Sequence, residues 1–267
     1  MVNRRNRRPA GVLVRLKAIG FGTPVPERAR APFHKPRNPP ILRRMCGRYV
    51  AALPAATLST LFKTQGPLLN WAGTWNMAPT RDAPVVRPHP ETGERHLGLL
   101  RWGLVPHWVK DLKATRQPIN ARGETVATLP LFRDAFTRRR CLVPADAFYE
   151  WQTSPGDKAP AKLPWAIARA DGACMALAGL WEDWRGPDDT VIRSFTIVTT
   201  SANPALRHLH ERMPVVLEEA DWPLWLGESE GDPASLIRPS GTELRLWRVG
   251  TAVNAVRNDG PSLLDPV

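Results

Sequence analysis

Trp165-Ala166-Ile167-Ala168-Arg169-Ala170-Asp171-Gly172-Ala173-Cys174-Met175-Ala176-Leu177-Ala178-Gly179-Leu180 is the stretch on which the fold turns. Two short apolar runs, Trp165–Arg169 and Cys174–Leu180, flank Asp171-Gly172, a dipeptide that tight hairpin turns favour because glycine takes positive φ without a Cβ clash. The spacing predicts a β-hairpin. Outward from it, β-branched and aromatic content predicts strands at Gly47–Ala51, His96–Trp102, Arg140–Val143, Phe148–Gln152, Arg193–Thr200 and Glu243–Val249. Helices are expected at Ala55–Lys63, from Asn203-Pro204 to His210, and at Glu218–Leu226 ahead of Gly227. Strands without a βαβ rhythm point to an α+β fold with a curved, largely antiparallel sheet system.

The chain has 267 residues and a formal charge of +12, which taken whole suggests a nucleic-acid binder. The charge is not evenly spread. Residues 1–44 hold twelve Lys and Arg against the single acid Glu27, and seven prolines, so residues 45–267 are left near neutral at +1. The organisation expected is a disordered, basic, proline-rich leader over 1–44, absent from or removed in the mature protein, and one domain over 45–267. Cys46, Cys141 and Cys174 are odd in number and far apart, with no Cys/His spacing for zinc. A reducing compartment, no disulfide framework, no metal and no cofactor are therefore expected. No apolar run reaches the roughly 20 residues of a membrane span, so the expected location is the cytoplasm, without a membrane partner.

Cys46 follows directly on Met45. A lone cysteine is most often a small buried hydrophobe. If Cys46 is the first residue, however, it carries both an α-amine with pKa of roughly 8 and a thiol with pKa of about 8.5. The amine condenses with an aldehyde to an imine, and the thiol then closes a five-membered thiazolidine. Asn120 and Arg122 fall in a polar segment that also suits an ordinary helix start. Glu150 lies between Tyr149 and Trp151; alternation favours an exposed face, and a desolvated carboxyl suited to proton transfer is the other reading. His210, at the expected helix end, suits a proton donor or a surface cap. Trp102 and Trp108, with Arg101 and Lys110 near them, suit either a core or a surface that stacks unpaired bases. With the domain near neutral, such a groove has to be local, built by arginines such as Arg48, Arg122 and Arg212.

Seven segments, in order, resemble the SOS response-associated peptidase family of abasic-site processing proteins. They are Met45–Tyr49, Trp75–Pro79, Arg101–Trp108, Ile119–Thr125, Cys141–Trp151, Ala178–Glu182 and His210–Pro214. The resemblance implies a single α+β domain with a barrel-like sheet core and peripheral helices. It implies that the partner is single-stranded DNA containing abasic sites, which associates the protein with the nucleoid through DNA; a monomer is the simpler expectation for its oligomeric state. Cys46 is then the nucleophile, Asn120 holds the sugar, Glu150 moves protons and His210 assists ring opening. Arg48, Arg122 and Arg212 bind phosphates, while Asn76, Pro79 and Trp102 line the strand. The 44 residues before Met45 depart from the family pattern, since an internal Cys46 has its amine locked in an amide. Self-cleavage at Met45–Cys46 is one route to release it, and a start at Met45 is the favoured one. A cysteine peptidase acting on other polypeptides and a non-catalytic single-strand-binding module are the competing readings.

Overall fold

The computed structural model describes residues 47–112, 115–153 and 162–267, so the leader and Cys46 lie outside the described residues. Thirteen strands run in chain order: β1 Arg48–Ala51, β2 Thr74–Met77, β3 Asp82–Pro88, β4 Arg95–Trp102, β5 Asn120–Arg122, β6 Arg140–Ala145, β7 Ala147–Thr153, β8 Lys162–Arg169, β9 Met175–Arg185, β10 Val191–Ser201, β11 Arg212–Pro214, β12 Val216–Leu217 and β13 Leu244–Arg248. The helices are short: α1 Ala55–Phe62, α2 Gly123–Val126, α3 Arg133–Arg138 and α4 Trp222–Leu226.

Strands β10, β4, β3, β6 and β9 form a five-stranded closed barrel, since β9 pairs back onto β10. The closing seam is parallel and short, joining Ser194 to Arg101 and Phe195 to Trp102; the other joints are antiparallel. β10 is the longest-serving strand, because β5 also pairs with it in parallel and β11 antiparallel. A second, antiparallel sheet in the order β13-β8-β7-β1-β2 packs against the barrel. The chain passes from one to the other at Asp146, whose carboxylate accepts from the backbone N–H of Ala52 (2.6 Å) and Leu53 (3.3 Å).

One core fills the barrel and the space beneath the second sheet, with Tyr49, Met77, Trp102, Phe148, Ile167, Phe195 and Ile197 all fully buried. Aromatic rings of this kind each remove about 150–250 Å² from water, on the order of 4–6 kcal/mol of transfer free energy. The outer face of the second sheet is covered too, by the 3-10 turns Thr251–Asn254 and Pro261–Leu264, which supply Val253 and Leu263 to a cluster with Val50 and Tyr149.

The α+β, barrel-like reading holds, with three local corrections. Asp171-Gly172 does form a turn, with Gly172 at φ 74° and its N–H donating to the Arg169 carbonyl, but β8 and β9 do not pair. β8 pairs with β7 and β13, whereas β9 lies in the barrel, so the turn switches sheets instead of closing a hairpin. The segment after Asn203 is a run of turns, not a regular helix, although Asn203 Oδ1 caps Leu206 N–H as expected (3.1 Å). Glu218–Leu226 divides into a 3-10 turn, Glu219–Asp221, and α4, with Pro223 at the junction denying the hydrogen bond that would unite them.

Candidate active site

The strand register sets where polar side chains meet the core. On β7, Phe148 faces the barrel core and Tyr149 faces the opposite cluster, so Glu150 returns to the barrel side, opposite Trp165 of β8. There it is 3% exposed, and its Oε2 accepts from the N–H of Trp151 (3.3 Å). The exposed placement favoured by alternation is corrected: both faces of this sheet are covered, so neither is a solvent face. β1 begins at Arg48, opposite Tyr149, so the described chain enters the sheet one residue along from Glu150. Among the described residues, a Cβ at Gly47 would meet no atom within 4 Å. Cys46 is the next residue back in sequence and lies outside the described residues.

Asn120 and Arg122 come from β5, and Arg122 is at the same time the N-cap residue of α2, so the segment is both strand end and helix start. β5 lies along β10 with Asn120 opposite Ile197 and Arg122 opposite Thr199, which turns Asn120 toward the same core face as Ile197. Gly123 permits this, because a Cβ there would fall 2.1 Å from Ile237 Cγ2 and 3.1 Å from the Thr199 carbonyl. His210 follows Leu209 of the same core and precedes β11; its Nδ1 accepts from the N–H of Arg212 (3.1 Å). A neutral ring in this arrangement carries its proton on Nε2, and that nitrogen is buried, as is Asn120 Oδ1. With no regular helix before it, His210 gains no helix-dipole bias. Glu150 of β7 and Asn120 of β5 are thus turned toward the main core, and His210 follows Leu209 of that core in the segment before β11.

Arg212 lies beside Arg122 and is tightly held. Its guanidinium donates to both oxygens of Glu124 (2.6 and 2.8 Å) and to the Thr199 carbonyl (2.7 Å). The Glu124 carboxyl is held below the usual range, first by those hydrogen bonds and further by the charges of Arg212 and Arg122. Next to them a cavity of about 160 Å³ is lined by Gly123, Glu124, Val126, Ala127, Thr200, Ala234 and Ile237. Half-buried Pro79 lies in a turn beside the end of β4, where Thr80, at φ 70°, donates to the Trp102 carbonyl (2.8 Å).

Three residues expected on the DNA strand make their contacts within the protein. Trp102 is fully buried, edge-on to Tyr49 (5.1 Å between centroids), stacked on Phe195 (6.3 Å) and donating from Nε1 to the Ile119 carbonyl (2.9 Å). It supports the backbone that leads into Asn120 and offers no ring face to a base. Asn76 is also fully buried, donating to the carbonyls of Val253, Ala255 and Asn258. Arg48 donates to Asn76 Oδ1 (2.8 Å) and the Val253 carbonyl (2.9 Å), on the face of the second sheet away from Glu150. Burial pulls its pKa below the ordinary arginine value. The aromatic that does face solvent is Trp108, 53% exposed in the loop between β4 and β5. Gly103, at φ 128°, is the signal that separates the two tryptophans: the chain turns out of the barrel there.

Neither described cysteine is a competent nucleophile. Burial drives the Cys141 thiol far above its normal range and pushes Cys174 up to about 12, which keeps both protonated.

Comparison with known proteins identifies the family and the fold. Abasic site processing protein YoqW of Bacillus subtilis (strain 168) is 32% identical over 227 residues, covering 83% of this chain and 99% of that protein. Abasic site processing protein HMCES of Gallus gallus is 28% identical, covering 84% of this chain and 78% of its own length. Among solved structures, a protein from Bacteroides thetaiotaomicron shares the fold with a TM-score of 0.73 at 20% identity, over 83% of this chain and all of that one. A protein from Bordetella bronchiseptica gives 0.65 at 28% identity, over 77% of this chain and all of its own. Residues 45–256 match the SOS response associated peptidase (SRAP) family, and the chain belongs to it.

Proposed function

We propose that this protein recognises abasic sites in single-stranded DNA and captures the ring-opened sugar covalently through Cys46. The observation that carries the reading is the buried carboxylate of Glu150, one residue along from the point where the chain enters β1, on a strand face that, like Asn120 of β5, is turned to the main core. The names of the relatives supply the substrate class.

The α-amine of Cys46 adds to the sugar aldehyde and loses water to give an imine; the thiol then adds to the imine carbon while a proton reaches the nitrogen, closing the thiazolidine. Glu150 takes and returns the protons of these steps. His210 donates from Nε2 to the sugar ring oxygen as the ring opens. Asn120 orients the sugar. Arg122 and Arg212 hold the flanking phosphates, Pro79 shapes the rim, and Trp108 offers the stacking face. The thiazolidine removes the imine, the species that promotes β-elimination and strand cleavage. The amine is free only when Cys46 is the first residue, through removal of Met45 and anything before it.

Purified protein whose intact mass corresponds to a chain starting at Cys46 is incubated with single-stranded DNA bearing one abasic site. A heat-stable conjugate is expected with this protein and not with Cys46→Ala. Conjugate persisting after Cys46→Ala, or none formed by the Cys46-first protein, refutes the reading.

A further inference from the structure

We infer that Glu182 is a positioning residue that, through His107, holds Trp108 in the attitude in which its ring stacks on an unpaired base; the inference rests on the single-strand reading above. Among the described residues Glu182 and Glu150 are the two buried carboxylates, and the chemistry just given uses only Glu150. Glu182 lies in the middle of β9, opposite Ser194 of β10, and is 2% exposed. Its Oε1 accepts from Arg139 Nη2 (2.7 Å), which already balances the charge. The second oxygen is turned to a loop: Oε2 lies 3.3 Å from Nδ1 of His107, a half-exposed side chain next to Trp108.

The loop is fixed on either side of that contact. Ahead of it, Val105 N–H donates to the buried Ser194 Oγ (2.8 Å); after it, Trp184 Nε1 donates to the Val109 carbonyl (2.7 Å), and Val105, Val109 and Trp184 pack together. Val109 N–H closes the turn onto the Pro106 carbonyl (3.1 Å). Between these anchors Pro106 has a fixed φ and His107 is tied inward, which leaves Trp108 as the residue of the turn with a large apolar surface in solvent. An exposed ring on a pinned turn is a platform whose ordering is complete before the ligand arrives, and a freely rotating one loses affinity to that ordering. His107 has to carry its proton on Nδ1 to serve, so an asparagine amide can replace it as donor.

The test uses the full chain labelled with 5-fluorotryptophan, the Trp108 resonance being identified by its loss in Trp108→Phe. Binding is read by anisotropy on single-stranded DNA carrying an abasic analogue without an aldehyde. In His107→Ala the Trp108 resonance is expected to move toward that of the free amino acid in water, with affinity falling about 3–10-fold, and His107→Asn recovers both. Glu182→Gln reproduces the His107→Ala shift; if that protein does not fold, the histidine variants decide. In a Trp108→Ala background, His107→Ala changes affinity less than about twofold, since the coupled partner is gone. An unmoved resonance in His107→Ala, no recovery in His107→Asn, or the same loss with and without Trp108 overturns the inference. If the wild-type protein does not bind the strand, the functional reading fails, and the resonance alone still decides whether His107 sets the ring.

Discussion

Replacing each of two tryptophans six residues apart separates support from contact. Trp102→Phe keeps a ring between Tyr49 and Phe195 but removes the Nε1–H that satisfies the Ile119 carbonyl. Leaving a buried acceptor without its donor costs about 1–3 kcal/mol, and the smaller ring leaves a cavity worth on the order of 1 kcal/mol more. The expected destabilisation is about 2–4 kcal/mol. In a domain of this size that lowers the melting temperature by about 4–16 °C. Trp108→Ala removes an exposed side chain, so its stability stays within about 0.5 kcal/mol of wild type. Its binding to single-stranded DNA weakens by about 1–3 kcal/mol, roughly 5–150-fold, the contribution of one stacked base. Thermal unfolding followed by circular dichroism measures the first quantity, and anisotropy with a non-reactive abasic strand the second. A Trp102→Phe protein that melts like wild type but has lost DNA, or a Trp108→Ala protein that binds normally, contradicts the assignment of the two rings.

Glu150→Gln preserves volume but cannot exchange protons; conjugate formation should slow by about 10²–10⁴-fold with folding intact, and an unchanged single-turnover rate rules Glu150 out as the proton carrier. Glu124→Gln frees Arg212 from its carboxylate and steepens the salt dependence of DNA binding by up to about 0.7 in the log–log slope, measured by titration at several salt concentrations; an unchanged slope shows that Arg212 meets no phosphate. The same substitution probes pH. The ionised Glu124 carboxyl is favoured in the folded state, so its contribution, about 0.2–1 kcal/mol for so exposed a pair, is present above roughly pH 4–5 and vanishes as pH falls through the lowered folded-state pKa. Wild-type and Glu124→Gln unfolding curves, apart at pH 7, should converge as pH falls through that lowered pKa. Gly123→Ala drives a Cβ into Ile237 and the Thr199 carbonyl, costing about 1–3 kcal/mol and displacing β5; a variant with wild-type stability and conjugation rate disproves the close approach.

Strands carried by branched or aromatic runs, such as β1, β4, β7 and β10, were legible in the sequence because packing on a pleated surface selects those residues. β3 was not: Pro84 and Pro88 interrupt it, and only its place between β4 and β6 makes it a strand. At Asp171-Gly172 the turn chemistry read correctly, while the pairing depended on distant partners that local sequence does not name. The site divides along the same line. Cys46, Asn120, Glu150 and His210 were identified through a family resemblance, but which way a side chain points follows from what covers each sheet. Alternation failed for Glu150 because the barrel covers one face and the 3-10 turns near the C-terminus the other. Composition does not separate Trp102 from Trp108, because both are tryptophans among basic residues, and the backbone at Gly103 decides between them.

The brace on Arg48 has a temporal consequence. Its guanidinium is held by Val253 and Asn254, 205 and 206 positions later, and Thr74 and the Trp75 N–H are held by Asp259. The start of β1 is thus fastened by residues more than 200 positions later, and the start of β2 by Asp259, which lies beyond the matched family segment. At about 5–20 residues per second, a ribosome takes about 10–40 s to cover that interval. Throughout it, the starts of β1 and β2 lack these partners, so the edge of the second sheet acquires its fastening only once the chain has been made as far as Asp259.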